Sequence, residues 1–265
     1  MSHLKITLVQ ADLAWEDPRT NRTRFDRALA GIAGTTDLVV LPEMFTTGFT
    51  MAGDDVAEAM EGSSVAWMKR TASGLAAHVA GSLVIRENGN VYNRLVWASP
   101  EGHIYTYDKR HLFRMSGEHK VYAAGTTSLT VSIGEWRVRP FICYDLRFPV
   151  WTRNVARRYD VAIFVANWPA ARAAHWAALL KARAIENQAY VLGVNRVGRD
   201  GNGQTYAGDS LAVDYQGAVI YHAGDREAVH TLTIDGAGLE TYRRNFPAWR
   251  DADTWSMTED QPPND

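Results

Sequence analysis

What most constrains the fold of this chain is an alternation of short apolar strand segments with helical ones, repeated along most of its length. Leu4–Gln10 reads as a strand, Asn21–Ile32 as a helix and Asp37–Leu41 (DLVVL) as a buried strand. A helical segment at Ser64–Val79 leads into strands Leu83–Arg86 and Val91–Ser99. These are joined by Glu87-Asn88-Gly89-Asn90, whose Asn-Gly pair is a strong hairpin signal. A strand is expected around Ile104–Tyr107, then strand Trp136–Ile142, helix Pro149–Arg158, strand Val161–Ala166, helix Ala171–Gln188 and strand Tyr190–Asn195. The last quarter reads as antiparallel strands around Ser210–Asp214, Ala218–Tyr221 and Ala228–Ile234, with a short helix over Gly236–Phe246. Elements in this order imply one α/β domain, built on a mixed sheet or on two stacked sheets, and periodicity does not choose between them.

The chain has 265 residues, enough to bury a sizeable core, with an ordinary 46% apolar and 22% charged content. No Pro/Ser-rich linker, internal repeat or low-complexity stretch divides it. Residues 1–253 are therefore expected to form one domain and residues 254–265 a C-terminal tail, with Gln261–Asp265 disordered. A net charge of −2 gives no electrostatic case for nucleic acid or an anionic membrane surface. The densest basic cluster, Arg153, Arg157 and Arg158, is expected to line a solvated helix face. The single cysteine cannot make an internal disulfide, which fits a reducing compartment. The start MSHLKITLVQADLAW lacks the pattern of a secretory signal, and no window approaches the ~18 consecutive apolar residues of a transmembrane helix. These features point to the cytoplasm.

The lone cysteine, Cys143, lies in FICYDLRFPVW, directly after the strand Trp136–Ile142 and ahead of Pro149, which suits the first turn of a helix. A thiol at such a junction lies near unpaired backbone N–H groups, which favour thiolate and can bind an oxyanion. Free cysteine is also among the most buried residue types, so partners elsewhere in the chain decide whether it reacts. Two other segments place charge where strands end. In LPEMFTTGF, Glu43 follows DLVVL and a proline; a carboxylate there is desolvated, which suits a general base, although a loop or capping role reads the same. In YDKRHLFRMSGEHKVYAAG, Lys109 could stabilise an oxyanion and Glu118 could orient it; taken singly, both read as surface charges. Arg147, one turn beyond Cys143, suits bidentate binding of a substrate carboxylate, or else a salt bridge to Asp145 or Asp160.

Other chemistries read more weakly. His103, His111 and His119 recur without a metal-binding helix pattern, so no metal is expected. The glycine-rich GRDGNGQ (198–204) follows no strand–helix phosphate arrangement and reads as a flexible loop. Ser210 lacks a nucleophile-elbow pattern.

Together, LPEMF with Glu43, YDKRHLF with Lys109, SGEHKVY with Glu118 and ICYDLRFP with Cys143 resemble the nitrilase superfamily of carbon–nitrogen hydrolases. Order and approximate spacing match its Glu–Lys–Cys triad and second glutamate, and the likeness runs from Leu4 to about Asp253. The strings DKRHLFRM, CYDLRFPVW, VANWPAARAAHW, ARAIENQAYV, NRVGRDGNG and FPAWRDAD look most like the bacterial omega-amidase branch, which hydrolyses the terminal amide of 2-oxo acid amides. The resemblance implies a four-layer α-β-β-α sandwich with mixed sheets, a homodimer, no cofactor, and a small-molecule amide substrate such as 2-oxoglutaramate. It also implies acyl transfer: Glu43 as base, Cys143 as nucleophile, Lys109 and the Tyr144 N–H for the oxyanion, and Glu118 positioning them. Arg147 would take the substrate carboxylate, and Phe45, Phe113 and Trp168 would wall the pocket or else be plain core. An N-carbamoyl amino acid or aliphatic amide hydrolase of the same superfamily is the nearest alternative. A catalytically silent interaction subunit would have lost one residue of the Glu–Lys–Cys triad, and none is missing. A nucleotide-binding α/β protein would need a phosphate loop that this sequence lacks.

Overall fold

The computed structural model describes residues 2–253, so the tail expected at 254–265 lies outside the described residues. In chain order the first strands are β1 (His3–Gln10), β2 (Leu38–Val40), β3 (His78–Glu87), β4 (Asn90–Ala98), β5 (Ile104–Asp108), β6 (Val131–Ile133) and β7 (Trp136–Ile142). They are followed by β8 (Val161–Val165), β9 (Tyr190–Val194), β10 (Val197–Arg199), β11 (Thr205–Ala207), β12 (Leu211–Val213), β13 (Val219–His222) and β14 (Ala228–Asp235). The α-helices are α1 (Pro18–Ala28), α2 (Gly53–Val56), α3 (Ser63–Leu75), α4 (Pro149–Thr152), α5 (Ala173–Asn187) and α6 (Gly236–Asn245).

Two six-stranded sheets form in the orders β14-β1-β2-β3-β4-β5 and β13-β12-β9-β8-β7-β6, and β10 pairs with β11 as a separate ribbon. Both sheets are mixed. Read from β14 in one and from β6 in the other, the pairings run antiparallel, parallel, parallel, antiparallel, antiparallel. The same pattern is built twice, although the sequence shows no internal repeat.

Side-chain alternation explains the layering. Leu38 and Val40 of β2 face a core shared with Ile6, Val138, Ile163 and Leu192, between the sheets. Val39 and Leu41 face the other way, against Phe25 of α1 and Met68 and Leu75 of α3. On β8, Val161, Ile163 and Val165 face the shared core, while Ala162 and Phe164 pack with Trp176, Leu180 and Ala184 of α5. Two stacked sheets with helices outside give the four-layer sandwich. DLVVL is apolar at successive positions because both of its faces are covered. The Asn88-Gly89 pair takes left-handed φ of 51° and 82° at the β3–β4 hairpin, as a tight primed turn requires.

Several boundaries differ from the sequence expectation. The helix expected over Ser64–Val79 stops at Leu75, where Ala76 turns left-handed and caps it, and His78 already begins β3. The helix expected over Pro149–Arg158 stops after one turn. Arg153 is extended, and the Asn154 side chain bonds the backbone of Tyr159 and Asn187. Arg153, Arg157 and Arg158 therefore share no helix face, and Arg157 stacks over Trp249 instead. GRDGNGQ is not a free loop but the tip of the β10–β11 ribbon, closed by Asp200 Oδ1 accepting from the N–H groups of Asn202 and Gln204. In the last quarter, β12 and β13 pair as expected, but β14 crosses to the other sheet and pairs with β1.

Glycine content is legible as packing. A Cβ on Gly193 of β9 would lie 2.5 Å from both Leu180 and Trp176 of α5, whereas one on Gly74 of α3 would meet nothing. Thermal and denaturant unfolding should show Gly193→Ala destabilised by about 1–3 kcal/mol through overpacking. Gly74→Ala should be stabilised by about 0.5–1 kcal/mol. Equal effects at the two sites would contradict the close α5–sheet packing.

Candidate active site

Four strand ends converge. Glu43 lies three residues past β2, Lys109 follows β5, Cys143 follows β7, and Asn167 lies two residues past β8. The chain turns sharply at two of these points: Met44 and Cys143 both take φ of 42°. For non-glycine residues this costs about 1–3 kcal/mol and persists only where the surroundings impose it. At Cys143, Asp145 imposes it. Its Oδ2 accepts from the Ile142 N–H (3.0 Å) and the Tyr107 hydroxyl (2.7 Å), and its Oδ1 from the His111 N–H (3.1 Å), with His111 Nδ1 at 2.8 Å. The His111 ring stacks on Phe148 at 3.7 Å, so this histidine braces the turn. Beside Glu43, Met44 N–H donates to Ser82 Oγ (2.8 Å) and Asn167 Nδ2 donates to the Glu43 carbonyl (2.6 Å).

Lys109 Nζ lies 2.9 Å from Glu43 Oε1 and 2.9 and 3.0 Å from the two Glu118 oxygens. All three side chains are buried. Glu118 also accepts from the Phe113 N–H at 2.5 Å, tying it to the cavity wall. Burial works against the Lys109 ammonium, but the charges of Glu118 and Glu43 outweigh it and hold Lys109 above its usual range. Burial pushes Glu118 up; Lys109 opposes this and Glu43 adds to it. Burial also pushes the Cys143 thiol well above its usual range, the Glu43 charge pushes it further, and Lys109 works against both. The balance favours the thiol, against the thiolate that the strand-end N–H groups alone would favour. A thiol next to a carboxylate and a fixed cation has the parts for acyl transfer: nucleophile, proton acceptor and oxyanion partner.

Cys143 is half-buried and lines a cavity of about 630 Å³. Phe113, Tyr144, Arg147 and Trp168 line this cavity. Phe45 does not. Its side chain points to the outer face of the first sheet and packs on Phe25 and Trp67 at 5.5 and 5.7 Å, in space left by Gly81. Phe49, from the same segment, lines the cavity instead, with Lys109 Nζ 5.1 Å from its ring centre. Arg147 has neither Asp145 nor Asp160 as partner; Asp160 pairs with Arg137 and Arg243. The Arg147 guanidinium lies 4.8 Å over the Trp168 ring and donates to His175 Nδ1 at 3.1 Å. Among the described residues no group of His, Cys, Asp or Glu is arranged to hold a metal ion.

Sequence reasoning missed Ser82, Asn93 and Asn167. Asn93 Nδ2 donates to Glu43 Oε1 (2.9 Å) and Glu118 Oε1 (3.2 Å), and Asn167 N–H donates to Glu43 Oε2 (2.8 Å). The strand period of the folded sheets shows why they matter. Asn93 is in step with Leu95 and Trp97, Ser82 with Ala80, and Asn167 with Ile163 and Val165, all of which face the shared core. A polar side chain in such a row must find a partner.

Residues 5–244 match the carbon-nitrogen hydrolase family. The chain is 48% identical to the omega-amidase YafV of Escherichia coli strain K12, over 97% of its own length and 100% of that protein's. It is 34% identical to the 2-oxoglutaramate amidase of Bacillus subtilis strain 168, over 93% and 96% of the two chains. A solved CN-hydrolase superfamily protein of Xanthomonas campestris, with an arsenic adduct in its active site, superposes with a TM-score of 0.96 at 47% identity. That match covers 97% of this chain and 100% of the other.

Because the Glu43 charge helps to keep the thiol protonated, Glu43→Gln should move thiolate formation to lower pH. Turnover should fall at the same time by about 10²–10⁴-fold, since the proton acceptor is gone. Cys143 is the only cysteine, so the ultraviolet absorbance difference between each protein and its Cys143→Ala counterpart reads this thiolate alone. A titration that stays in place or moves upward would contradict the arrangement.

Proposed function

The chain belongs to the carbon-nitrogen hydrolase family, and from that premise we propose that it is an omega-amidase. It hydrolyses the terminal amide of short 2-oxo acid amides, such as 2-oxoglutaramate, to the 2-oxo acid and ammonia. One observation carries the reading. A lysine fixed between two buried carboxylates stands beside the Cys143 thiol, in a cavity whose wall holds Arg147, which has no carboxylate partner among the described residues.

In this reading Glu43 takes the Cys143 proton as Sγ attacks the amide carbon. The carbonyl oxygen becomes an oxyanion held by Lys109 Nζ and the Tyr144 N–H. The latter belongs to the first turn of a 3-10 helix starting at Cys143, where N–H groups lack intrahelical acceptors. The raised pKa of Lys109 supports a permanent cation here and not a proton donor. Glu43 returns the proton to the amide nitrogen, the C–N bond breaks, and ammonia leaves a thioester on Cys143. Water, deprotonated by Glu43, then attacks the thioester carbon; the C–S bond breaks and the thiol is restored as the acid departs. Glu118 positions Lys109. Arg147 binds the substrate carboxylate, and Phe113, Tyr144 and Trp168 wall the short carbon chain.

The enzyme works as a homodimer, a reading supported by Val150 and Ile185, apolar and more than half exposed in α4 and α5. It works in the cytoplasm, a reading supported by its single cysteine; none of its described helices is long and apolar enough to cross a membrane.

Ammonia release from 2-oxo acid amides, neutral short-chain amides, nitriles and N-carbamoyl amino acids tests the assignment, and 2-oxo acid amides should give the highest kcat/KM. Arg147→Met should lose about tenfold to a hundredfold in kcat/KM on 2-oxoglutaramate, the usual effect of losing a charge-assisted hydrogen bond. Neutral amides should be spared. Faster turnover of carbamoyl compounds, or equal losses on both amide classes, would contradict the reading.

A further inference from the structure

The two oxygens of the Glu43 carboxylate are chemically equivalent, but their surroundings are not. Oε1 accepts from Lys109 Nζ and from Asn93 Nδ2, each at 2.9 Å, which fills both of its lone pairs. Oε2 accepts from the Asn167 N–H at 2.8 Å, with Asn167 Nδ2 more distant at 3.4 Å. The 3.4 Å bond is the weakest of the four on this carboxylate and the one a proton can displace. We propose that Asn93 is a positioning residue which, with Lys109, closes Glu43 Oε1 to protons and directs the proton exchange with Cys143 to Oε2. The proposal rests on the acyl-transfer reading above and adds to it the atom that carries the proton.

Asn93 can act in this way only if its NH₂ group faces the carboxylates, and Ser82 decides that. Ser82 Oγ accepts from the Met44 N–H at 2.8 Å, leaving its hydroxyl hydrogen to donate to Asn93 Oδ1 at 2.9 Å. The second amide hydrogen reaches Glu118 Oε1 at 3.2 Å. A reversed amide would set its oxygen against two carboxylate oxygens with no donor between them. Ser82, Asn93, Glu43 and Glu118 are all fully buried, so solvent does not compete for these bonds. Asn93 is not among the residues lining the cavity, and it acts through Glu43.

Without the amide, Oε1 regains a free lone pair and can hold a proton away from the sulfur. A carboxylate that loses a donor also keeps its proton more readily. Asn93→Leu should therefore lower kcat by about tenfold to a hundredfold with KM little changed, and move the acid limb of the kcat/KM profile to higher pH. Ser82→Ala, which removes the hydroxyl that anchors Asn93 Oδ1, should shift the limb in the same direction by less. It carries the test if Asn93→Leu does not fold.

Two pH profiles should be measured for wild type and both variants. One is turnover of a neutral short-chain amide, which does not need Arg147; the other is inactivation by iodoacetamide, which needs only the thiol and its base. An upward shift of the acid limb in both profiles supports the proposal. An unmoved limb, or a change in KM alone, would overturn it. If the inactivation profile shifts but wild type releases no ammonia from any amide, the amidase reading fails and the Asn93 assignment stands.

Discussion

The structure depends on one buried ion cluster, Lys109 held between Glu43 and Glu118, with side chains 1%, 0% and 0% exposed. Three charges removed from water are stable only if each is paired and hydrogen-bonded, and removing one member of such a cluster typically costs about 3–5 kcal/mol. Every element that supplies a member is thereby fixed relative to the others. Lys109 has two carboxylates, and the Glu43 oxygens are further satisfied by Asn93 and Asn167. Low dielectric strengthens these contacts and makes the Lys109 cation a fixed feature of the site.

The repeated sheet pattern explains how the cluster can be assembled across two sheets. Strands β2 and β8 occupy corresponding places in the two orders. Glu43 and Asn167 follow those strands, and they meet through the Asn167 N–H and the Glu43 carboxylate. Cys143 follows β7, the parallel neighbour of β8, in a left-handed turn held by Asp145. The shared core brings the strand ends together, and the polar groups that interrupt that core at its edge become the site. Burial pushes the Cys143 thiol above its usual range, and on the Glu43 carboxylate Oε2 carries the weaker set of hydrogen bonds.

The residues that end apolar strands were legible in the sequence. Glu43 after DLVVL, Lys109 after β5 and Cys143 after β7 each break a hydrophobic run with a reactive group, and strand Trp136–Ile142 has the bounds its pattern implies. Asn93 and Ser82 were not legible because they sit inside strands, where an asparagine or serine is easily taken for a solvent-facing position. Only the choice of which face is covered, settled by the second sheet, gives them meaning. Phe45 and Phe49 could not be told apart by composition; Gly81 makes room for Phe45 on the outer face. The helix from Pro149 had acceptable helical sequence, but hydrogen bonds from Asn154 to Tyr159 and Asn187, formed only in the folded chain, ended it early. The crossing of β14 to the first sheet likewise depends on a partner, β1, that lies at the other end of the chain.

The central claim is that the buried cluster serves a covalent step at Cys143. Rapid quenching during turnover of 2-oxoglutaramate, followed by mass spectrometry of the intact chain and its peptides, tests this directly. An adduct of the acyl group without its ammonia, confined to the peptide containing Cys143 and absent from Cys143→Ala, is the expected result. Steady ammonia release by Cys143→Ala at a rate near that of the wild type, with no adduct on either protein, would contradict the account.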